Sequence, residues 1–128
     1  MNITTGDNVT DLLQTFLNVQ SRRSEVIAGN IANADTPGFV AKELDFQDYL
    51  RQAADQSTLP TSKQQEMGLT SEMHVKDQVP NAIGLDGNTV DTGKEMADLA
   101  QTSSNFNFGA KMLQSRLRLL RTAIREGK

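Results

Sequence analysis

The sequence predicts a mainly α-helical protein in which two long helices, one from each end of the chain, pack antiparallel as a coiled coil. Two apolar stripes at helical spacing support this prediction, one in the last third of the chain and one in residues 8–34. A third observation is the polar middle, where residues 55–80 show little periodicity and predict a mostly irregular segment. Two helices from opposite ends of a short chain pack most economically side by side, which brings the termini together.

The C-terminal stripe is the strongest pattern in the chain. Its positions advance by alternating steps of four and three, which is the a/d register of a coiled coil. They are Thr92, Met96, Leu99, Ser103, Phe106, Ala110, Leu113, Leu117, Leu120 and Ile124. Such a helix is roughly 50 Å long and needs a partner along its whole apolar side. Thr92, Ser103 and Ala110 are weak positions in this seam, where we expect neighbouring subunits to come close.

The N-terminal stripe predicts a second helix over residues 8–34. It follows the same register through Leu13, Leu17, Gln20, Ser24, Ile27, Ile31 and Ala34, and Leu12, Phe16 and Ala28 widen it. The helix should end at Asp35–Gly38, because Pro37 disfavours helical geometry at Thr36 and Gly38 permits a reversal.

The middle of the chain predicts only short elements. Phe39–Lys42 favours an extended piece, Asp45–Ala54 a short helix, and residues 55–80 a long insertion with at most a strand pair around Met67–Val75. Residues 81–91 are punctuated by glycine, and Asn88 or Asp91 should start the C-terminal helix. We therefore divide the chain into an N-terminal helix and turn (1–38), a variable middle (39–84), and a turn with the C-terminal helix (85–128).

The seam register predicts which side chains meet. We expect an N-terminal set to pack on a C-terminal set that Ile124 extends as an assembly surface. The first set is Leu13, Phe16, Leu17, Ile27 and Ile31, and the second is Met96, Leu99, Phe106, Leu113, Leu117 and Leu120. Gly29 and Gly109 lie inside helices, where each costs about 1 kcal/mol relative to Ala. They mark either close approach of a neighbouring helix or mere tolerance.

Composition and charge narrow the classes of function. Only 37% of the 128 residues are hydrophobic and 5% aromatic, which is thin for a compact enzyme core. The chain has no cysteine, which excludes thiol catalysis and cysteine-ligated metal. No cleavable secretory signal and no apolar run of membrane-spanning length is visible. The net charge of −3 hides a basic tract at residues 111–128, which suits phosphates, an anionic membrane or simply a helix C-terminus.

Motifs for catalysis or metal binding are weak. The single histidine, His74, lies in the polar middle and favours a surface role rather than catalysis. Asp86–Asp91 resembles the opening of a calcium loop, but Asp91 and Ala97 stand where that loop requires Gly and Glu. A turn and a helix cap are therefore the better interpretation. We predict no enzyme activity, no metal and no cofactor.

Two short motifs carry a resemblance to a known family. Asn30–Phe39 resembles the signature of the flagellar axial proteins, which form the bacterial rod and hook. Leu85–Asp91, followed by Glu95 and Met96, is similar to the segment before the C-terminal helix of proximal rod proteins. The residues that match are Asn30, Ile31, Ala32, Asn33, Ala34, Asp35, Thr36, Pro37, Gly38, Phe39, Asp86, Gly87, Asn88 and Val90.

The resemblance implies a structural subunit of the flagellar basal-body rod that polymerises through its terminal helices and helps to transmit torque. It implies export by the flagellar type III apparatus without a cleaved signal peptide, and a place in the periplasm. The implied partners are copies of itself, other rod proteins and the rod–export-gate adaptor of the FliE type, with no nucleic acid and no membrane span. The alternatives are another rod subunit of the FlgC type, or a coiled-coil adaptor or basic-helix binder of nucleic acid or membrane.

Overall fold

The computed structural model describes residues 4–47, 49 and 73–127, with side chains from residue 9 onward. Within these residues two long helices dominate: α1 spans Thr4–Ala32 and α2 spans Thr92–Glu126. Between them lie two short strands, β1 at Lys42–Leu44 and β2 at Val75–Asp77. The predicted mainly helical fold with two long terminal helices is confirmed.

The two helices run antiparallel, because the early turns of α1 meet the middle of α2 and its last turns meet the beginning of α2. The ring of Phe16 lies against Gly109, whereas Asn30 contacts Glu95. Val19 and Ile27 are buried on α1, and the buried positions of α2 are Glu95, Thr102 and Gly109. Packing of an amphipathic face in this way, rather than intrinsic propensity, supplies most of the stability of such helices.

Local hydrogen bonding and backbone geometry set the start of α2 and the end of α1. The side chain of Asp91 accepts a hydrogen bond from the backbone N–H of Lys94 at 3.1 Å and caps the start of α2. In the turn that follows α1, Gly38 has a φ of 71°, a backbone conformation that residues with a side chain disfavour. Helix α1 ends at Ala32, two residues before the predicted Ala34, and a turn continues from there to Gly38.

The strand pair forms between β1 and β2 in antiparallel register, with Lys42 opposite Asp77 and Leu44 opposite Val75. The expected pair around Met67–Val75 differs from this, and residues 67–72 lie outside the described part of the chain. Phe46, Gln47 and Tyr49 are helical, in agreement with the short helix expected over Asp45–Ala54. Asp45 precedes the helical residues, and positions 48 and 50–54 lie outside the described part of the chain. His74 is exposed beside β2, and its backbone oxygen accepts a hydrogen bond from Asp45.

Candidate assembly site: a polar junction and an exposed helical face

Asn30, in the last turns of α1, connects three segments of the chain. Its side-chain oxygen accepts a hydrogen bond from the backbone N–H of Lys42 at 2.8 Å, and its amide donates to the Lys42 carbonyl at 2.7 Å. The same amide donates to the carboxylate of Glu95 at 3.1 Å. Asn30 thus pairs with β1 as a neighbouring strand would, while it also contacts the first turn of α2.

Glu95 is fully buried, and a fourth segment of the chain also donates a hydrogen bond to it. The side-chain amide of Gln78, just after β2, donates to its carboxylate at 2.9 Å, and the backbone N–H of Gln78 donates to the carbonyl of Ala41 at 2.8 Å. Removing one member of such a buried network leaves a polar atom of its partner unpaired, which costs more than the bond itself contributes. We call the set Asn30, Lys42, Gln78 and Glu95 the polar junction.

A second group of hydrogen bonds closes the turn after α1. The buried amide of Asn88 donates to the carbonyl oxygens of Asn33 at 3.0 Å and Thr36 at 2.7 Å, and its oxygen accepts from the N–H of Val90 at 2.8 Å. Asn33 itself donates to the carbonyl of Gly29 at 2.8 Å. Each of these three carbonyl oxygens also accepts a backbone N–H, so the asparagine side chains use the second lone pair of each oxygen and add hydrogen bonds that close the turn.

The two motifs that carry the family resemblance lie against each other through their backbones. Gly38 N–H donates to the carbonyl of Asp86 at 2.9 Å, and Thr89 N–H donates to the carbonyl of Phe39 at 3.0 Å. Gly87 adopts a φ of 79°, and a Cβ built there would lie 3.5 Å from the Cα of Gly38. Both glycines adopt a positive φ that other residues disfavour, and this backbone geometry lets two turns about fifty residues apart in sequence lie against each other.

Sequence reasoning did not identify the central members of the polar junction as such. Glu95 appeared only within the resemblance and Thr102 was assigned no role, because a polar residue in a helix pattern is normally read as solvent-facing. Gln78 was assigned no role because it lies in the segment predicted to be irregular. The one available signal was that Asn30 and Glu95 both belong to the quoted motifs. Which groups they bond depends on the path of the whole chain.

The structure places the predicted seam residues partly in the contact between the helices and partly on the surface. On α1, Ile27 is buried, and the other members are half-buried: Leu13, Phe16, Leu17 and Ile31. On α2, Leu99 and Leu113 are half-buried, but Met96 is 60% exposed and Leu117 is 49% exposed. Further apolar side chains are exposed on α2, namely Phe106 near its middle and Leu120 and Ile124 near its end.

The face of α2 that meets α1 is rotated from the predicted stripe. It contains Leu99 and Leu113, as predicted, but the alternate positions are Glu95, Thr102 and Gly109 instead of Met96, Ser103 and Ala110. The physical reason is close packing at Gly109, where a Cβ would lie 2.8 Å from the ring of Phe16. Gly109 is therefore a position of close helix approach, whereas a Cβ at Gly29 would meet nothing within 4 Å.

An open groove of about 530 Å³ lies between the two helices near the C-terminal half of α2. Leu17, Phe106, Leu113 and Leu117 provide its apolar lining. Apolar surface that the described residues of one copy leave uncovered is typical of a chain that packs against further helices.

An ion pair between Lys94 and Asp98 lies near the polar junction, in the first turns of α2. Lys94 donates to the carboxylate of Asp98 at 2.9 Å, and this hydrogen bond raises the pKa of the Lys94 ammonium above its ordinary value of 10.5. The described residues contain no cluster of His, Asp or Glu suited to hold a metal ion. In the same part of the chain, neither helix combines the length and apolar character needed to cross a membrane.

Comparison with known proteins finds similar sequences over most of this chain. Residues 14–39, which include the C-terminal two-thirds of α1 and the turn after it, match the family described as flagella basal body rod protein. The chain is 33% identical over 126 residues to the flagellar basal body rod protein FlgB of Salmonella typhimurium (strain LT2), with 89% of this chain and 91% of the relative covered.

Two further relatives give the same result. FlgB of Escherichia coli (strain K12) is 31% identical and FlgB of Yersinia ruckeri is 30% identical, each over 126 residues, 89% of this chain and 91% of the relative. Because each alignment covers 89% of this chain, it includes residues of both helices, both motifs and the polar junction. The chain belongs to the flagellar basal body rod protein family, among the FlgB proteins.

Proposed function

We propose that this chain is a structural subunit of the proximal rod in the flagellar basal body and that it polymerises through its terminal helices. The observation that carries the proposal is the exposed apolar side of α2, including Leu117 and Ile124, on a chain of this family. An apolar helical face requires a partner along its length, and further rod subunits supply one.

Each part of the predicted division of the chain has its own structural role. Residues 1–38 and 85–128 form the coiled-coil assembly unit, and residues 39–84 form the variable segment between them. The polar junction holds the ends of α1 and α2 at a fixed angle to the strand pair, because its buried hydrogen bonds permit few alternative arrangements. A rigid connection of this kind suits a part that helps to transmit torque from motor to hook and filament.

The finer expectations concern partners and place. The subunit leaves through the flagellar type III export apparatus without signal cleavage, lies in the periplasmic part of the basal body, and contacts other rod proteins and an adaptor of the FliE type. It works without catalysis, metal or cofactor. The seam residues named from the sequence act mainly in contacts between subunits, which agrees with the exposure of Met96, Leu117 and Ile124.

Complementation tests this proposal. The chain is expressed in a flagellated bacterium whose own FlgB gene is deleted, and basal bodies are isolated and probed for it. We expect the chain in the rod fraction, with its N-terminal residues intact by mass spectrometry, and restored swimming. Absence from basal bodies would refute the rod assignment, and salt-sensitive binding of the purified chain to DNA or anionic vesicles would instead support the basic-helix alternative.

A further inference from the structure

Two exposed apolar patches lie at opposite ends of the molecule. The first, which we call the loop patch, is on the segment between β2 and α2, where Val79 is 88% exposed, Ile83 is 67% exposed and Leu85 is fully exposed. Val79 and Ile83 line a cleft of about 390 Å³, a volume within the usual range for a pocket.

The loop patch has an acidic border. Asp86 and Asp91 line the same cleft, and exposed Asp35 follows Ala34, which also lines it. Lys94 reaches the cleft as well, but its ammonium is held by Asp98 at 2.9 Å. The border therefore offers carboxylates to a cationic partner.

The second patch, which we call the tail patch, is on the last turns of α2. Ile124 is 71% exposed, and Leu117 (49% exposed) and Leu120 (36% exposed) lie beside it on the same side of the helix. Its border is basic, because Arg118, Arg121 and Arg125 are all exposed there. An apolar centre with a charged rim is the usual composition of a protein–protein contact, and the rims of the two patches are opposite in charge.

One copy cannot bring its own two patches together. The loop patch precedes the first turn of α2 and the tail patch ends it, and a helix of 35 residues separates them by about 50 Å. Charges this far apart are screened from each other, since the Debye length at physiological salt is about 8 Å. Only a second molecule can place an arginine rim on the carboxylate rim.

We propose that the tail patch of one copy docks into the loop patch of a second copy, with Ile124 seated beside Ile83 and the arginines facing Asp35 and Asp86. The contact joins different surfaces of the two copies, and a repeated contact of that kind builds an open helical polymer rather than a closed dimer. The inference rests on the proposed function and names the contact that stacks one subunit on the next.

Disulfide trapping tests the contact directly, because the native chain has no cysteine. Two single variants, Ile83→Cys and Ile124→Cys, are purified, mixed at high concentration and oxidised. Both positions are exposed, so each variant should keep the wild-type circular dichroism spectrum. We expect a heterodimeric disulfide between them. The matched control mixes Ile83→Cys with Phe108→Cys, another exposed position on α2 that the contact leaves remote.

The proposal is decided by comparing formation of the 83–124 disulfide with formation of the 83–108 control disulfide. We expect the 83–124 disulfide to form about tenfold faster than the 83–108 control, since a specific contact raises the effective concentration of the two thiols. Adding Arg121→Glu and Arg125→Glu to the tail should lower the 83–124 yield about fivefold, because the rims would then repel each other. A ratio near one, or no adduct, would overturn the contact.

The same variants separate this inference from the rod assignment. Cells that carry both Cys substitutions in the one chain are oxidised, and their basal bodies are isolated. If the chain is in the rod fraction without 83–124 multimers, the stacking contact is wrong and the rod assignment stands. If purified copies form the disulfide but the chain is missing from basal bodies, the contact stands and the rod assignment fails.

Discussion

The side-chain amide of Asn30 donates a hydrogen bond to the carboxylate of Glu95 across 3.1 Å and 65 residues of sequence, and both side chains are buried. This bond joins the end of α1 to the start of α2. Because Asn30 also holds the backbone of Lys42 and Glu95 also binds Gln78, the two helices and the strand pair share one connection.

Replacing Glu95 tests the polar junction. Glu95→Ala should lower the free energy of unfolding by about 2–4 kcal/mol, because the amides of Asn30 and Gln78 each lose one buried acceptor and the removed side chain leaves a void. Glu95→Gln keeps one acceptor oxygen and should cost less, about 1–2 kcal/mol. Urea unfolding followed by circular dichroism measures both. Exposed Glu126→Gln is the control and should change stability by less than about 0.5 kcal/mol; equal losses at both positions would contradict the network.

Replacing Asn88 tests the closure of the turn. Asn88→Ala removes the donor to the carbonyls of Asn33 and Thr36 and the acceptor for Val90, so we expect a loss of about 2–3 kcal/mol. Local opening should appear as faster hydrogen exchange at the amides of Gly38 and Val90. The matched control is Asn81→Ala, an exposed asparagine in the same loop, which should leave exchange at those amides unchanged.

The two helical glycines make a matched pair. Gly109→Ala places a methyl group 2.8 Å from the ring of Phe16, and the resulting overpacking, about 1–3 kcal/mol, should exceed the helix-propensity gain of about 1 kcal/mol. Gly29→Ala meets open space and should raise stability by up to about 1 kcal/mol. Thermal unfolding measures both signs. A stabilising Gly109→Ala would show that the helices are farther apart than the structure places them.

Leu117 separates assembly from folding. Leu117→Asp alters a half-exposed side chain on the proposed assembly face, so we expect the helicity of the dilute protein to be unchanged while polymerisation and motility are lost. Leu113→Asp, at a more covered position, should reduce both helicity and assembly, since a carboxylate there is poorly solvated. Gln114→Asp, exposed on α2, is the control. Normal motility of Leu117→Asp would contradict the seam.

The pair of Lys94 and Asp98 predicts a small alkaline effect. Because the pKa of Lys94 is raised in the folded state, the stabilisation is fully present below the unfolded value of 10.5 and is lost as pH rises through the folded pKa. Since both side chains are partly exposed, solvent screening keeps the effect below about 0.5 kcal/mol. Unfolding free energies of wild type and Asp98→Asn are compared from about pH 9 to 11.5; the difference between them should shrink at high pH.

Local patterns were sufficient for the elements at the two ends of the chain. The four–three spacing predicted both long helices, Pro37 and Gly38 predicted the stop after α1, and Asp91 was one of two residues expected to start α2. These features depend on hydrogen bonds and dihedral preferences within a few residues, which the sequence displays directly. The strand pair was harder to predict, because β1 bonds to a strand about thirty residues later.

The four–three spacing shows that α2 carries an apolar stripe, but not which part of that stripe meets α1. Met96 and Glu95 are one position apart, and the helical period alone favoured the methionine; the tertiary structure buries the glutamate instead, because Asn30 and Gln78 converge on it with two amides. It likewise decided that Gly109, and not Gly29, is a point of close approach. The reason is the same in each case: periodicity is local to one helix, whereas burial is settled by partners that only the folded chain brings together.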